Sequence, residues 1–172
     1  MSRHPNADWR WGNHPGLTKN TERHTPVGHL RPPCSHKGRS PLKYEITDQV
    51  TVWGGPEPES TWNLTNKLVL NLQEHRTKTQ NSHFPIRNYG VPDDDDMFDA
   101  LIEALCERAG NGQKIYIHCF AGHGRTGMVL GGMAGFLGIE DPVQHVRKNY
   151  CRRAIETPQQ EFYVENYTDR SQ

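Results

Sequence analysis

The residues with the most distinctive chemistry lie in one short stretch, IHCFAGHGRTG, residues 117–127. Cys119 is followed six residues later by Arg125 and then by Thr126, with two glycines in between. A cysteine is a strong nucleophile as its thiolate, and the planar guanidinium group of arginine suits two oxygens of a phosphate. The stretch therefore indicates a thiolate that attacks phosphorus in a bound phosphate group, with the Thr126 hydroxyl donating to the sulfur when it leaves.

The position of this stretch between two predicted elements supports that chemistry. KIYIHC (114–119) has the pattern of a buried strand, and RTGMVLGGMAGFLG (125–138) that of a helix. Glycines allow successive N–H groups of the intervening loop to point inward and form an anion-binding nest. The N-terminus of the helix adds its positive dipole end. All of these features stabilise a negatively charged sulfur at Cys119.

A purely structural role for Cys119 is the competing interpretation. A buried cysteine at a strand end is commonly a small hydrophobic residue, and glycine-rich turns also serve packing. The loop also lacks the GK[ST] ending of a nucleotide P-loop, so a nucleotide-binding loop is a poor interpretation. The cysteine, glycines, arginine and threonine nevertheless occur in one register between a strand and a helix, so we favour the phosphate-binding thiolate.

The rest of the chain from residue 43 alternates between strand and helix patterns, which predicts a single α/β domain over 43–172. The expected fold has a central, mostly parallel sheet of four or five strands flanked by helices. Ligands of such sheets bind at the carboxyl ends of the strands, where Cys119 stands. We expect the glycines of the helix at 125–138 to permit close packing on the sheet. The other predicted strands are 44–47, 50–54, 67–72 and 83–89, and the other predicted helices are 93–110, ending with Gly110 as a cap, 141–150 and 157–167.

Residues 1–42 differ in composition from this domain. They hold six prolines, five histidines and seven Lys or Arg residues against two acidic residues, although the whole chain has a net charge of zero. We predict a basic, Pro/His-rich arm that is extended or disordered. It is either a plain linker or a segment that binds an acidic partner or nucleic acid. Cys34 and His36 alone are too few ligands for a zinc site.

The number of cysteines and the hydropathy pattern indicate the cellular compartment in which the protein works. The first 30 residues contain no signal-peptide core, and the most apolar stretch, 128–138, is too short to span a bilayer. Four scattered cysteines do not suggest a disulfide framework. We therefore expect no membrane partner and a reducing compartment, either cytoplasmic or nuclear.

HCFAGHGRTG resembles the HC-x5-R-[ST]-G signature of the cysteine-dependent protein tyrosine phosphatases, and the similarity extends over about residues 43–168. The small domain is similar to a compact dual-specificity phosphatase. The resemblance implies that Cys119 is the nucleophile of a phosphocysteine mechanism that requires no metal or other cofactor. It also implies that phosphate is held by Arg125 and by the amides of Phe120, Ala121, Gly122, His123, Gly124 and Arg125.

The sequence departs from this family at the general acid, which is expected to be an aspartate shortly before a proline. Asn88 occupies that position in FPIRNYGVP, and an amide cannot donate a proton at neutral pH. One explanation is an acid from the run that follows, Asp93 and Asp94 first among them, although acidic residues also favour a helix N-terminus. A second explanation is a substrate that needs no acid, and a third is a domain that binds phosphate with little turnover.

These observations predict an enzyme that hydrolyses phosphomonoesters, with a phosphotyrosine or dual-specificity protein phosphatase as the first choice and a phosphoprotein as its substrate. An RNA 5′-triphosphatase with the same chemistry is the second choice, because phosphate is a good leaving group. A catalytically weak phospho-binding module is the third. Gln159 and Gln160 resemble residues that steer the hydrolytic water in some relatives, or they are simply part of a helix surface.

Overall fold

A five-stranded sheet forms the centre of the fold in the computed structural model, which describes Cys34 and residues 41–167. Its strands follow the order β1-β2-β5-β3-β4. Four helices flank the sheet. The strands are β1 (Leu42–Glu45), β2 (Thr51–Gly55), β3 (Leu68–Asn71), β4 (Ser82–His83) and β5 (Ile115–His118), and the helices are α1 (Asp95–Gly110), α2 (Gly124–Phe136), α3 (Pro142–Asn149) and α4 (Pro158–Glu165).

The pairing of the strands is mostly parallel, as the sequence predicts. Only β1 and β2 pair antiparallel, with Tyr44 opposite Val52, and they form the hairpin expected around Asp48. β5 lies between β2 and β3 and is parallel to both. Because all four of its residues are buried, the sequence of β5 is continuously apolar apart from its last residue, as is typical of a central parallel strand. The chain leaves β5 at the carboxyl edge of the sheet directly into Cys119.

The strand predicted over 83–89 is much shorter in the structure. Regular pairing covers Ser82–His83, and the N–H groups of Phe84 and Ile86 make the last main-chain bonds to the neighbouring segment of β3. Pro85 has no N–H to donate. A turn closed by the N–H of Gly90 on the carbonyl of Arg87 then takes the chain away from the sheet.

Helix α1 begins two residues later than predicted. Asp94 has an extended backbone, and its carboxylate accepts the N–H of Met97, so it caps the helix rather than belonging to it. At the other end Gly110 is the last helical residue and Asn111 is the C-cap. The left-handed position follows at Gly112, where φ is +84°.

The glycines of α2 pack against the turn after α3 and against neighbouring helices, not against the sheet as the sequence led us to expect. A Cβ at Gly127 would lie 2.7 Å from the Ile155 nitrogen and 2.8 Å from the Ala154 Cβ. One at Gly132 would meet Ile102 of α1 at 3.0 Å. Twelve of the thirteen residues of α2 are buried, and a fully surrounded helix needs small residues where other backbones approach.

His118, the last residue of β5, is fully buried next to the loop that begins at Cys119. Its Nδ1 donates to the carbonyl of Cys119 at 3.3 Å, and its ring stacks on Tyr116 at a centroid distance of 5.8 Å. Burial lowers the pKa of His118 to about 4, against smaller upward contributions from the Cys119 carbonyl and from Glu57. The imidazole is therefore neutral at pH 7, and its hydrogen bond to the Cys119 carbonyl braces the start of the loop.

Most of the predicted amino-terminal arm lies outside the described residues, and so do residues 168–172. Cys34 is described: it is half-buried and packs against the hydrophobic core of the domain. Leu42 already belongs to β1. No helix within the described part of the chain is long and apolar enough to cross a membrane.

We expect Gly127→Ala to destabilise the fold by about 1–2 kcal/mol, because the overpacking cost exceeds the helix-propensity gain of alanine. Gly110→Ala is the matched control, since a Cβ there meets nothing within 4 Å. It should leave stability unchanged or raise it by less than about 1 kcal/mol. Urea unfolding measures both, and equal effects of the two variants would contradict this account of α2.

We expect acid to destabilise the protein in part through His118. Because its folded pKa lies below the ordinary value of 6.5, the unfolded chain binds the proton more tightly, and stability falls as pH drops from about 6.5 towards about 4. This one group should account for about 2 kcal/mol between about pH 7 and about pH 5. Urea unfolding at both pH values should show a smaller loss for His118→Asn than for the wild type. An identical loss in both proteins would be evidence against a buried neutral imidazole.

Candidate active site

The candidate site is the loop from Cys119 to Arg125, which joins β5 to α2 at the carboxyl edge of the sheet. Cys119 is only 3% exposed, whereas the next residue, Phe120, is 70% exposed. Helix α2 begins at Gly124, so its N-terminal N–H groups belong to the loop. The structure thus brings the predicted nucleophile and the predicted phosphate-binding residues together in the strand–loop–helix arrangement that the sequence indicates.

Hydrogen bonds from outside the loop hold three of its carbonyl oxygens. Since the two sides of a planar peptide point in opposite directions, each anchored carbonyl turns the N–H of the following residue the other way. The N–H groups of Ala121 and His123 are thereby turned away from the anchors to a side where an anion can bind, whereas the N–H of Gly124 donates to the carboxylate of Glu156. The anchoring bonds run from the N–H of Glu57 to Phe120 (3.2 Å), from the hydroxyl of Tyr150 to Gly122 (2.8 Å) and from the N–H of Ile155 to His123 (3.3 Å).

Tyr150 and Gly122 show how closely the loop is fitted. Burial raises the pKa of Tyr150 well above its ordinary value, so its hydroxyl stays protonated and donates to the Gly122 carbonyl. Gly122 has φ +76°, and a Cβ there would lie 2.3 Å from the carbonyl carbon of Gly55. Because both the left-handed backbone and the contact with β2 exclude a side chain, only glycine fits at this position.

Arg125 is 6% exposed, and its Nη1 donates to the carbonyl of Ile86 at 3.1 Å. This bond orients the guanidinium group at the start of α2. It also fixes the segment after β4 beside the loop, with Asn88 two residues further along. The N–H of Asn88 lies 3.4 Å from the carboxylate of Glu74, and its side chain is exposed.

Glu156 is a residue of the site that the sequence did not reveal. Its Oε2 accepts the N–H of Gly124 at 3.1 Å, so it contacts one of the amides predicted to hold phosphate. Gln160 supports it: its side-chain oxygen accepts the N–H of Glu156, and its Nε2 donates to the carbonyl of Gly90. Gln160 is fully buried, so it connects the Asn88 segment to the phosphate loop and is no surface residue of α4.

Thr126 lies in the first turn of α2 with its side chain buried. Its Oγ1 makes no hydrogen bond to another group of the described residues. The predicted donation to the sulfur of Cys119 is therefore not formed in this structure, and the role of Thr126 stays a prediction.

The aspartates considered as replacement acids hold the start of α1. Asp93 forms an exposed ion pair with Arg87 at 3.5 Å, and Asp94 is the N-cap. Asp95 accepts the hydroxyl of Tyr163 at 2.7 Å. These contacts favour the structural interpretation of the run, and an acid function of Asp93 or Asp94 stays a prediction.

The family comparison agrees with this geometry. Residues 35–164 match the family model described as "PTP-SAK: Swiss Army Knife protein, DSP-PTPase phosphatase domain". An uncharacterized protein of Methanocaldococcus jannaschii, MJECL20, is 39% identical over 94 residues, which are 55% of this chain and 63% of that protein. Human tyrosine-protein phosphatase non-receptor type 4 is 34% identical over 119 residues, which are 63% of this chain and 13% of that protein. The chain thus spans less than two thirds of the length of these curated relatives.

Solved structures share the fold at low sequence identity. The active form of Tk-PTP superimposes with a TM-score of 0.59 at 20% identity, over 74% of this chain and 97% of that one. Kinase associated phosphatase gives a TM-score of 0.62 at 16% identity, over 80% and 98% of the two chains. The fold, the loop and the family match agree, and the chain belongs to the PTP-SAK family of dual-specificity-type phosphatase domains, compact members of the cysteine-dependent protein tyrosine phosphatase superfamily.

Proposed function

We propose that this phosphatase hydrolyses phosphomonoesters through a phosphocysteine at Cys119. The observation that carries the proposal is the anchored loop: hydrogen bonds from outside it hold the carbonyls of Phe120, Gly122 and His123, and the Ile86 carbonyl holds the guanidinium group of Arg125 at the end of the same loop. The thiolate forms a bond to phosphorus as the bond from phosphorus to the ester oxygen breaks, and the leaving oxygen takes up a proton. Water then attacks the phosphocysteine, inorganic phosphate departs, and the sulfur leaves as thiolate with Thr126 donating to it.

Electrostatic stabilisation supplies most of the rate in such a reaction. Negative charge spreads over the three equatorial oxygens of the transferred group, and preorganised N–H groups and a guanidinium group stabilise it without further reorganisation. Arg125 is suited to this role because the Ile86 carbonyl fixes its side chain in advance. Kinase associated phosphatase, which shares the fold, was solved with serine in place of its catalytic-site cysteine, in keeping with the role proposed for Cys119.

The exposed aromatic side chains around the loop favour an aryl phosphate. Phe120 is 70% exposed directly after the nucleophile, and Tyr89 is 53% exposed in the segment of Asn88. Aromatic surfaces of this kind gain from contact with a phenyl ring. An aryl phosphate also leaves more readily than an alkyl phosphate, so it depends less on the proton donor that Asn88 cannot supply. Human non-receptor type 4 is named a tyrosine-protein phosphatase, which supports phosphotyrosine in a phosphoprotein as the substrate class.

Two other functions fit parts of the same site. An RNA 5′-triphosphatase fits the missing acid, because its leaving group is phosphate, and the basic arm would suit RNA. A phospho-binding module with little turnover fits the contact between Glu156 and Gly124, since that carboxylate opposes a bound dianion. A nucleophilic thiol must remain reduced, so we propose a reducing compartment, cytoplasmic or nuclear.

Cys119→Ser should lower kcat/KM on p-nitrophenyl phosphate and on a phosphotyrosine peptide by at least about 10³-fold, because a hydroxyl is a far weaker nucleophile than a thiolate. Cys106→Ala is the matched control, since burial raises the pKa of that thiol to about 12 and keeps it inert. It should leave the rate within about 3-fold of the wild type. Hydrolysis that survives in Cys119→Ser would overturn the phosphocysteine mechanism.

The same assay on a phosphoserine peptide and on triphosphate-ended RNA separates the three functions. A tyrosine phosphatase should prefer the phosphotyrosine peptide, and an RNA 5′-triphosphatase should prefer the RNA. Binding of all substrates to the wild type without turnover would identify a phospho-binding module and would contradict the proposed enzyme.

Asn88→Asp should raise kcat on the phosphoserine peptide by about 10²–10⁴-fold and change it little on p-nitrophenyl phosphate, because an acid matters most for a poor leaving group. Glu156→Gln, measured alongside it, asks whether the carboxylate at the loop already serves as the acid, and Asp93→Asn and Asp94→Asn ask the same of the two aspartates before α1. No gain in Asn88→Asp together with a loss in Glu156→Gln would move the acid to Glu156. No change in any of the four variants would show that none of these residues serves as the acid.

A further inference from the structure

Three side chains with metal-binding atoms meet behind the phosphate loop. The Sγ of Cys34 lies 3.4 Å from Nε2 of His123, and the Sγ of Cys151 lies 3.8 Å from Nδ1 of the same ring. One ligand atom from each of the three residues lies within 4.8 Å of the others, the one such group found among the described residues. Cys151 and His123 are buried and Cys34 is half-buried.

The ligand types select a soft or borderline metal ion. Two thiolates and one imidazole are typical of Zn²⁺, which also tolerates three protein ligands with a fourth position left to solvent. Tetrahedral Zn²⁺, with bonds of about 2.3 Å to sulfur and about 2.0–2.1 Å to nitrogen, sets its ligand atoms about 3.5–3.8 Å apart. The contact between Cys34 and His123 already has nearly this length, and the rest of the cluster needs to contract by about 1 Å, which side-chain rotation supplies.

We propose that Cys34, His123 and Cys151 bind one Zn²⁺ ion. The metal uses one nitrogen of His123, and the cysteines release their protons as it binds. The three ligands come from distant parts of the chain: the segment before β1, the phosphate loop, and the turn after α3. A metal there fastens the segment before β1 to the back of the phosphate loop and closes a long stretch of chain, so its binding energy becomes folding energy.

The zinc site is separate from the chemistry of Cys119. Cys119 is not a member of the group, and the main chain of His123 serves the phosphate loop while its ring faces the two other thiols. The ion therefore takes no part in the reaction itself and influences the conformation of the phosphate loop. It holds the ring of His123, which in the chain lies between Gly122, whose φ is +76°, and Gly124, whose N–H donates to Glu156.

Metal analysis of the full 172-residue chain tests the proposal. The protein is purified with a reductant that does not bind metal, incubated with Zn²⁺ and desalted, and its zinc is measured by mass spectrometry. The wild type should hold about one zinc per chain, and Cys34→Ala and Cys151→Ala should bind Zn²⁺ at least about ten-fold more weakly in chelator competition. Cys106→Ala and Cys119→Ser are the controls and should hold zinc as the wild type does.

A second measurement guards against misfolded variants. The exposed part of Cys34 makes its replacement tolerable, and circular dichroism at low temperature checks that the variant is folded. Co²⁺ in the wild type should give a thiolate-to-cobalt charge-transfer band that Cys34→Ala weakens, and a chelator should lower the Tm of the wild type only. Any of three results would overturn the proposal: no zinc in the wild type, loss of zinc in Cys119→Ser, or a Cys34–Cys151 disulfide in metal-free protein under the same reducing conditions.

Discussion

The outward anchoring of the phosphate-loop carbonyls is the constraint on which the site depends. Its donors come from distant parts of the chain: Glu57 follows β2, and Tyr150 and Ile155 flank the turn after α3. Glycine alone would leave the loop free to adopt many conformations, so it is these tertiary contacts that select one of them. The tertiary fold therefore fixes the conformation of the loop from Cys119 to Arg125. The five strands and the packing of α2 bring the donors of the three hydrogen bonds together.

The same turn places the Glu156 carboxylate where it competes with an anionic substrate for one loop N–H. The turn that donates through Ile155 also sets the Glu156 carboxylate on the N–H of Gly124. A phosphate dianion bound as proposed would use that N–H, and two anions at one donor repel each other. Binding of phosphate would therefore require Glu156 to move away. The carboxylate would then respond to the substrate, so Glu156 would take part in the proposed chemistry.

The sequence predicted the parts of this site that are local and missed those that are not. Cys119, Arg125 and the two glycines between them lie within seven residues, and the period of the flanking elements follows from burial, so loop, strand and helix were all predictable. The bond from Arg125 to Ile86 spans 39 residues, and that from Gly124 to Glu156 spans 32. No spacing rule reaches so far, because such contacts depend on how the elements pack. The glycines of α2 were misassigned for this reason: the pattern shows that something packs closely, and only the fold shows that the neighbours are the turn after α3 and the helices α1 and α4.

Asn88 at the acid position and the exposed aromatic side chains of Phe120 and Tyr89 favour the same class of substrate. An enzyme without an acid at this position accelerates reactions in proportion to the stability of the leaving group, so its chemistry alone discriminates against alkyl phosphates. In the proposed function, the exposed rings of Phe120 and Tyr89 would discriminate in the same direction, because they would gain contact area from an aryl group and little from a serine side chain. The two contributions, one to the activation barrier and one to substrate binding, would multiply in kcat/KM. Specificity for aryl phosphates would then require no deep pocket.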